Sequence, residues 1–271
     1  MGNKHILKEF ISFIRVENGL FASGIAISGY VIFNHADFLM LPLFIAMFLG
    51  TCASYGYNYL KDIREDFVNK ETLNKFVLEE GKGRNIVVCF YIFGFVSSLL
   101  LSAASCIVYL FLILLSIIYS GMVRIKERFL VKNFHTGFAI SLSFVVGAAA
   151  GGVVSVQITP YVLIIFILGF AANMLGDIRG YRGDKSIGML TLPILIGFGK
   201  TKLIIHLLII SFLTSILFFR YSDFYPLVPF MVLASILLFK NRLIGVRILF
   251  LSSFACLPVF LLISNLIGGA L

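Results

Sequence analysis

The chain has 271 residues, of which 60% are hydrophobic and only 13% are charged, and its mean hydropathy is +1.03. Soluble domains carry about 25% charged residues, so this composition excludes an ordinary water-soluble protein. The formal net charge is +9, but no basic run with interleaved aromatic residues lies outside the apolar segments, which argues against a nucleic-acid partner. A positive rim beside a membrane instead suits membrane lipid or an anionic substrate.

Apolar runs long enough to cross a membrane follow one another along the sequence. A spanning helix needs about 20 predominantly apolar residues. That length predicts an all-α, polytopic membrane protein, with residues 1–271 forming a single domain of about nine transmembrane helices around a central cavity. The predicted spans are residues 10–33, 38–60, 85–104, 106–123, 134–155, 159–177, 202–220, 224–240 and 246–268.

The positive charges give a second test of this topology. With nine spans, the N-terminus and the connections 2–3, 4–5, 6–7 and 8–9 share one side of the membrane. Those segments carry all 22 lysine and arginine residues except Arg220. Because cytoplasmic loops are enriched in these residues, the sequence predicts a multi-pass protein of the cell membrane, with its N-terminus and charged loops in the cytoplasm.

Cysteine and histidine residues offer little chemistry at this stage. All the cysteines lie in apolar runs, which favours small core residues over disulfides or zinc ligands. For His135 and His206 we expect packing or an interfacial hydrogen bond. The cysteines are Cys52, Cys89, Cys106 and Cys256.

Two groups of acidic residues stand at predicted helix ends on the same side of the membrane. The first is Asn58-x3-Asp62-x3-Asp66 at the end of span 2, and the second begins with Asn173-x3-Asp177 at the end of span 6. Residues four apart lie on one face of a helix, so each group predicts a stripe of oxygen ligands. Polar groups at membrane depth are costly and usually serve a function.

The Asn-x3-Asp pattern recurs four spans later in the same direction, which suggests two parallel four-helix halves followed by a ninth helix. Parallel halves would bring both acidic groups to one cytoplasmic pocket. Oxygen ligands suit Mg²⁺, which commonly bridges one or two carboxylates to substrate phosphates. The sequence therefore predicts a Mg²⁺-assisted diphosphate site, with nearby cations completing the neutralisation. These candidate cations are Lys70, Lys75, Arg124, Lys126, Arg128 and Lys132.

These features resemble the UbiA superfamily of intramembrane prenyltransferases over essentially the whole chain. The span count and the first acidic motif match that family, and Arg15-x2-Asn18 is similar to its first helix, where the Asn lines the pocket. Tyr119, followed by Arg124-Ile125-Lys126, is similar to the end of its fourth helix. After the first motif, the spacing of Lys70, Thr72, Asn74 and Lys75 also resembles the family.

The second motif departs from the family pattern. Asn173-x3-Asp177 is similar to the menaquinone-type branch, whereas Asp184 and the region 191–193 resemble the homogentisate and archaeal lipid branches. In those branches a further Asp stands where this chain has Gly180. The number of bound metal ions is therefore open.

The resemblance implies transfer of an isoprenyl group from a polyprenyl diphosphate of geranylgeranyl type to a hydrophobic or aromatic acceptor, through an allylic cation shielded from water. The predicted catalytic residues are Asp62, Asp66, Asp177, Asp184, Lys75, Arg124 and Lys126. The predicted substrate-binding residues are Asn18, Asn58, Lys70, Tyr119, Arg128, Lys132 and Asn173. The predicted Mg²⁺ ligands are Asn58, Asp62, Asp66, Asp177 and Asp184.

Other functions fit part of the pattern. An ion-coupled transporter is the main alternative, but transporters often show inverted repeats and broken helices, whereas this repeat is parallel. A prenyl cyclase or an inactive scaffold of the same fold is a second alternative, and the retained aspartates argue against the scaffold. The acceptor stays open between a quinone precursor, an aromatic acid and geranylgeranylglyceryl phosphate, as do donor chain length and oligomeric state.

Overall fold

The computed structural model describes residues 2–63, 73–122, 130–152, 155–186 and 188–268, and among them it contains helices and connections but no strand. A π-helical turn over Ile118–Met122 follows the helix Ala103–Ile117, and 3-10 turns lie at Val156–Ile158 and Ser222–Leu227. The α-helices are α1 (Gly2–Ile14), α2 (Val16–Phe33), α3 (Met40–Lys61), α4 (Lys75–Leu78), α5 (Glu80–Ser98), α6 (Ala103–Ile117), α7 (Val131–Ala148), α8 (Thr159–Ser186), α9 (Leu192–Phe219), α10 (Val228–Phe239) and α11 (Leu243–Gly268).

The predicted all-α architecture is confirmed. Within the described ranges, α2, α3 and α5 to α11 follow the nine predicted spans in order. Among the described residues, seven helical segments are long and apolar enough to cross a membrane by length and composition, and α5 and α7 fall outside that group. α5 begins with charged residues such as Lys82 and Arg84, and α7 begins with Lys132 and Asn133. The first turns of these two helices are therefore too polar for a lipid-facing span.

The first predicted span contains a break that the apolar run does not reveal. Residues 10–33 belong to two helices, α1 and α2, which meet at Arg15. Arg15 adopts a left-handed conformation with φ 47° and ψ 63°, which cannot continue a right-handed helix. The prediction of one continuous span is wrong here because neither glycine nor proline marks the break.

The predicted loop 178–201 is mostly helical. α8 continues through Arg179 and Arg182 to Ser186, and α9 already begins at Leu192. The prediction ended the helix where the apolar run ends, but the helix continues through weak helix formers such as Gly180 and Gly183, because tertiary context overrides intrinsic propensity. The correction places Asp184 in the last turns of α8.

Close contact between α2 and α7 fixes the centre of the bundle. A side chain at Gly147 of α7 would overlap the carbonyl oxygen of Ala26, and one at Gly29 of α2 would overlap that of Phe144. Small residues allow this approach of two backbones. Gly147 therefore lets α7 pack directly on the backbone of α2.

The cysteines only partly follow the expectation of core positions. Cys52 is buried, whereas Cys89 and Cys256 are exposed on outer helix surfaces, so the expectation is wrong for these two. His206 of α9 makes an interhelical hydrogen bond, with Nδ1 lying 2.8 Å from Ser235 Oγ of α10. The expected hydrogen-bonding role of His206 is therefore confirmed.

The alternation of spans determines where the functional groups gather. Because consecutive spans run in opposite directions, the C-terminal ends of α3, α6 and α8 lie at the same end of the bundle as the N-terminal ends of α2, α7 and α11. That end holds both acidic groups. The arrangement as two parallel halves stays a prediction.

Candidate active site

A cavity of about 560 Å³ opens between α2, α3, α6, α7, α8 and α11. Asp62, Lys132 and Asp184 contribute charged groups to its lining, while residues such as Leu112 and Phe250 contribute apolar surface. A cavity of this size that combines apolar walls with a few polar groups is typical of a small-molecule site. It suits a ligand with an anionic head and an apolar tail.

The first acidic group faces this cavity from the end of α3. Asn58 lies in the last turn and Asp62 directly follows the helix, and Asn58 Nδ2 donates a hydrogen bond of 2.7 Å to Asp62 Oδ2. Ser120 Oγ donates to Asn58 Oδ1 at 2.9 Å from the π-helical turn after α6. The wider turn brings both Tyr119 and Ser120 into the lining, and such turns are frequent at functional sites.

The second acidic group is built differently. Asp177 is only 1% exposed, and its two oxygens meet Lys132 Nζ at 2.5 Å and the donating Nδ2 of Asn133 at 2.9 Å. Asp184 lies seven residues further along α8, so it shares the same helix face. Lys132 Nζ is also 3.7 Å from Asp184 Oδ2, which places one ammonium group between two carboxylates.

The structure places seven of the predicted site residues in the cavity lining. They are Asn18, Asn58, Asp62, Tyr119, Lys132, Asn173 and Asp184. Five others lie outside the described residues: Asp66, Lys70, Arg124, Lys126 and Arg128. Their roles stay predictions.

Two predicted catalytic residues do not line the cavity. Asp177 is buried behind Lys132, and Lys75 lies on α4, where its Nζ is 3.7 Å from Glu79 Oε1 and its side chain is 51% exposed. The hydrogen bond from Lys82 lowers the pKa of Glu79, so this carboxylate stays charged beside both lysines. The structure therefore pairs Lys75 with a surface carboxylate.

Most residues of the lining were not among the predicted site residues, and three of them carry ionisable side chains: Arg15, Arg247 and His135. The ring of His135 stacks on that of Tyr119, with centroids 4.0 Å apart, so its packing role is exercised inside the cavity lining. Arg15 belongs to the same motif as Asn18, and its position there was a clue. No spacing in the sequence points to Arg247.

Tyr109 lies deep in the cavity on α6. Its hydroxyl is 2.6 Å from the position that a Cβ at Gly50 would take, and it also contacts the corresponding position at Gly94. Both neighbours must be glycine for the ring to lie between α3 and α5. The hydroxyl is buried and has no hydrogen-bond partner among the described residues.

The cavity-lining carboxylates fit a hard cation that shares its ligands with a substrate. Asp62, Asp184 and the amide oxygen of Asn58 are oxygen donors, and Mg²⁺ usually takes one or two carboxylates together with substrate phosphates. Within the described ranges, no group of three or more His, Cys, Asp or Glu residues forms a metal cage. Asp177 fits less well, because Lys132 already occupies one of its oxygens.

The described residues form a helical bundle with membrane-length helices around a cavity that is charged at one end, which defines a membrane protein with an internal small-molecule site. Residues 20–264 match the UbiA prenyltransferase family. The chain belongs to this family and is an integral membrane prenyltransferase. Family membership favours isoprenyl transfer over the ion-coupled transport that the sequence left open.

Relatives of known name lie among the archaea. The chain is 26% identical over 217 residues to the digeranylgeranylglyceryl phosphate synthase of Sulfurisphaera tokodaii, covering 76% of this chain and 77% of that one. It is 29% identical over 209 residues to the synthase of the same name from Methanocaldococcus jannaschii, covering 73% and 70% of the two chains.

The fold matches a solved structure. A UbiA homologue from Archaeoglobus fulgidus, bound to DMAPP and Mg²⁺, superposes with a TM-score of 0.75 over 94% of this chain and 99% of that one, at 13% identity. This likeness confirms the predicted UbiA-type helical architecture.

Proposed function

We propose that the chain transfers a geranylgeranyl group from geranylgeranyl diphosphate to the free hydroxyl of geranylgeranylglyceryl phosphate. The observation that carries the proposal is the cavity, which presents Asp62, Lys132 and Asp184 at one end and apolar side chains along its walls. The name shared by the archaeal relatives supports glyceryl phosphate over the aromatic acceptors.

The diphosphate of the donor would lie at the charged end. Asn58, Asp62 and Asp184 would hold Mg²⁺, which when bound neutralises charge on the diphosphate leaving group. Lys132 adds an ammonium group beside Asp184, 3.7 Å from its Oδ2. A preorganised cation of this kind stabilises the charge that develops on a leaving diphosphate.

The isoprenyl tail would extend along the cavity, where its reactive carbon is kept from water. Cleavage of the carbon–oxygen bond sends the electron pair to the diphosphate and leaves an allylic cation. The rings of Tyr55 and Tyr109 lie in the cavity lining and can stabilise a cation through their π faces. The acceptor hydroxyl oxygen then forms the ether bond, and its proton leaves with the diphosphate.

The charged end of the bundle would face the cytoplasm. Almost all lysine and arginine residues lie in segments at that end, as the positive-inside rule requires of a cytoplasmic face. A cysteine placed at the exposed Arg242 should react with a membrane-impermeant reagent only after the cytoplasmic side is opened. Reaction of this cysteine in sealed cells would show that the charged end faces the outside.

The test is diphosphate release and ether formation by the purified protein in lipid nanodiscs. Geranylgeranyl diphosphate would be offered with geranylgeranylglyceryl phosphate, 4-hydroxybenzoate or no acceptor, each with Mg²⁺ or with EDTA. Asp184→Ala would be compared with Asp223→Ala. Asp223 is the matched control because its carboxylate accepts a hydrogen bond from Tyr161 Oη at 2.8 Å, away from the cavity lining.

Mg²⁺-dependent ether formation with the glyceryl phosphate, lost in Asp184→Ala and retained in Asp223→Ala, is the expected result. Transfer only to the aromatic acceptor would reject the proposed acceptor. Diphosphate release without any acceptor would indicate a cyclase. A folded protein that gives no turnover with any combination would overturn the proposal.

A further inference from the structure

The backbone at Arg15 is held in a left-handed conformation, with φ 47° and ψ 63°. A residue other than glycine in the left-handed region is uncommon, and the surrounding structure must supply the energy that maintains it. The carbonyl of Arg15 accepts hydrogen bonds from the amides of Asn18 and Gly19 at 2.9 and 3.3 Å, which start α2. The break turns the Arg15 side chain into the cavity lining.

Two tyrosine rings enclose the guanidinium of Arg15. Its central carbon lies 5.2 Å from the ring centroid of Tyr55 and 4.9 Å from that of Tyr59, and Nη2 donates a hydrogen bond of 3.3 Å to Tyr59 Oη. In the described part of the chain, no carboxylate forms an ion pair with Arg15. The guanidinium is therefore held by rings and a hydroxyl group, and its charge is available to pair with an anionic ligand in the cavity.

A second arginine lines the same cavity from α11. Arg247 Nη2 lies 3.5 Å from Glu17 Oε1, and the two side chains are 39% and 47% exposed. An exposed ion pair at this distance contributes little to stability, and its side chains rearrange easily. α11 packs on α2, so Arg15 and Arg247 share Glu17 as their nearby acid. This basic pair comes from the junction before α2 and from α11, whereas Asp62, Lys132 and Asp184 belong to the end of α3, to α7 and to α8.

We infer that Arg15 and Arg247 bind the anionic head group of the acceptor, separately from the diphosphate of the donor. The inference rests on the proposed function, in which that head group is a phosphate monoester. The planar fork of a guanidinium matches phosphate with two parallel hydrogen bonds. Two arginines against one glutamate leave an excess of one positive charge to meet a phosphate. A carboxylate on an aromatic acceptor has the same chemistry, so the test must separate the two sources.

The experiment compares acceptors that differ only in the phosphate. Initial rates would be measured at saturating geranylgeranyl diphosphate with geranylgeranylglyceryl phosphate or with geranylgeranylglycerol, for the wild type, Arg15→Gln and Arg247→Gln. Arg242→Gln is the matched control, because it removes the same charge five residues before Arg247 from a side chain outside the cavity lining. The 4-hydroxybenzoate arm distinguishes carboxylate from phosphate recognition.

We expect Arg15→Gln to raise the KM of the phosphorylated acceptor about 10- to 100-fold and Arg247→Gln about 3- to 10-fold, because a desolvated charge pair contributes more than an exposed one. The KM of geranylgeranyl diphosphate and of the unphosphorylated acceptor should change less than about twofold in both variants, as should every constant of Arg242→Gln.

Equal losses with the phosphorylated and unphosphorylated acceptors would overturn the inference, and so would a KM increase confined to the donor. A KM for 4-hydroxybenzoate that is lower than that of the phosphorylated acceptor and depends on Arg15 would assign the subsite to a carboxylate and reject phosphate. If the wild type transfers to no acceptor, the proposed function fails. Binding of the radiolabelled phosphorylated lipid to wild-type and variant nanodiscs then still tests the arginine subsite on its own.

Discussion

The two acidic helix ends have the same Asn-x3-Asp spacing and use it in different ways. At the end of α3, Asp62 lines the cavity and is hydrogen bonded by Asn58, which Ser120 orients in turn. Within α8, Asp177 is enclosed by Lys132 and Asn133, two turns before Asp184. A shared spacing therefore does not determine the role of a carboxylate, because neighbouring helices decide whether it meets the substrate or a protein cation.

In the second acidic group, the cavity-lining carboxylate lies two turns after Asp177 along α8. Asp184 lines the cavity in place of Asp177, and Lys132 contacts both carboxylates. We interpret Asp177 as a positioning residue that fixes the ammonium of Lys132, and Asp62 and Asp184 as the carboxylates that meet the substrate.

The largest effect is expected from Asp62→Asn. This isosteric change removes the charge that faces the cavity, and we expect kcat to fall about 10³-fold because leaving-group stabilisation is lost. Single-turnover kinetics with geranylgeranyl diphosphate measure it. Asp37→Asn is the control, since Asp37 accepts a hydrogen bond from Tyr30 Oη at 2.8 Å in the connection between α2 and α3. Similar losses in both variants would contradict a specific role for Asp62.

Removal of Lys132 should destabilise the protein most. Lys132→Met leaves the buried carboxylate of Asp177 without its cation, and breaking such a pair costs about 3–5 kcal/mol. Thermal unfolding in a defined detergent measures this change. The double variant Lys132→Met/Asp177→Asn should recover much of the loss, because no charge is then left unpaired. A double variant no more stable than Lys132→Met would show that the ion pair is not the cause.

Asp177→Asn sharpens the comparison between the two ends. If Asp177 only positions Lys132, its kcat should fall about tenfold or less, far below the loss expected for Asp62→Asn. The KM for the diphosphate should rise at the same time, because the ammonium is less fixed. A loss of activity equal to that of Asp62→Asn would mean that both ends act alike, and the proposed division of roles would be wrong.

The smallest effect is expected at Ser120. Ser120→Ala removes the 2.9 Å hydrogen bond to Asn58 Oδ1, which should cost about 1 kcal/mol of stability and lower kcat about two- to fivefold. Ser28→Ala is the control, because Ser28 Oγ donates to the Gly24 carbonyl of its own helix at 2.8 Å and lies outside the cavity lining. Equal effects in the two variants would show that Ser120 has no specific role in the site.

Sequence alone went far in locating this site, because polar residues are rare in apolar helices and conspicuous at their ends. Asn58 and Asp62 needed only spacing and position, whereas Asp184 came from the resemblance to a known family. The pairing of Lys132 with Asp177 was out of reach, because it joins residues on two helices whose packing no local pattern encodes. The break at Arg15 was also hidden, since a left-handed arginine is imposed by its tertiary surroundings and has no local sequence mark.

Tyr109 has a consequence for the shape of the cavity. From Ser120 to Tyr109 the cavity-lining face of α6 and its π-helical turn covers about 16 Å, at 1.5 Å per residue, and the phenol ring of Tyr109 is held in place by Gly50 and Gly94. Gly94 is outside the cavity lining, yet a methyl group there would displace the ring. The shape of this wall is thus determined partly from behind, by a residue that does not line the cavity.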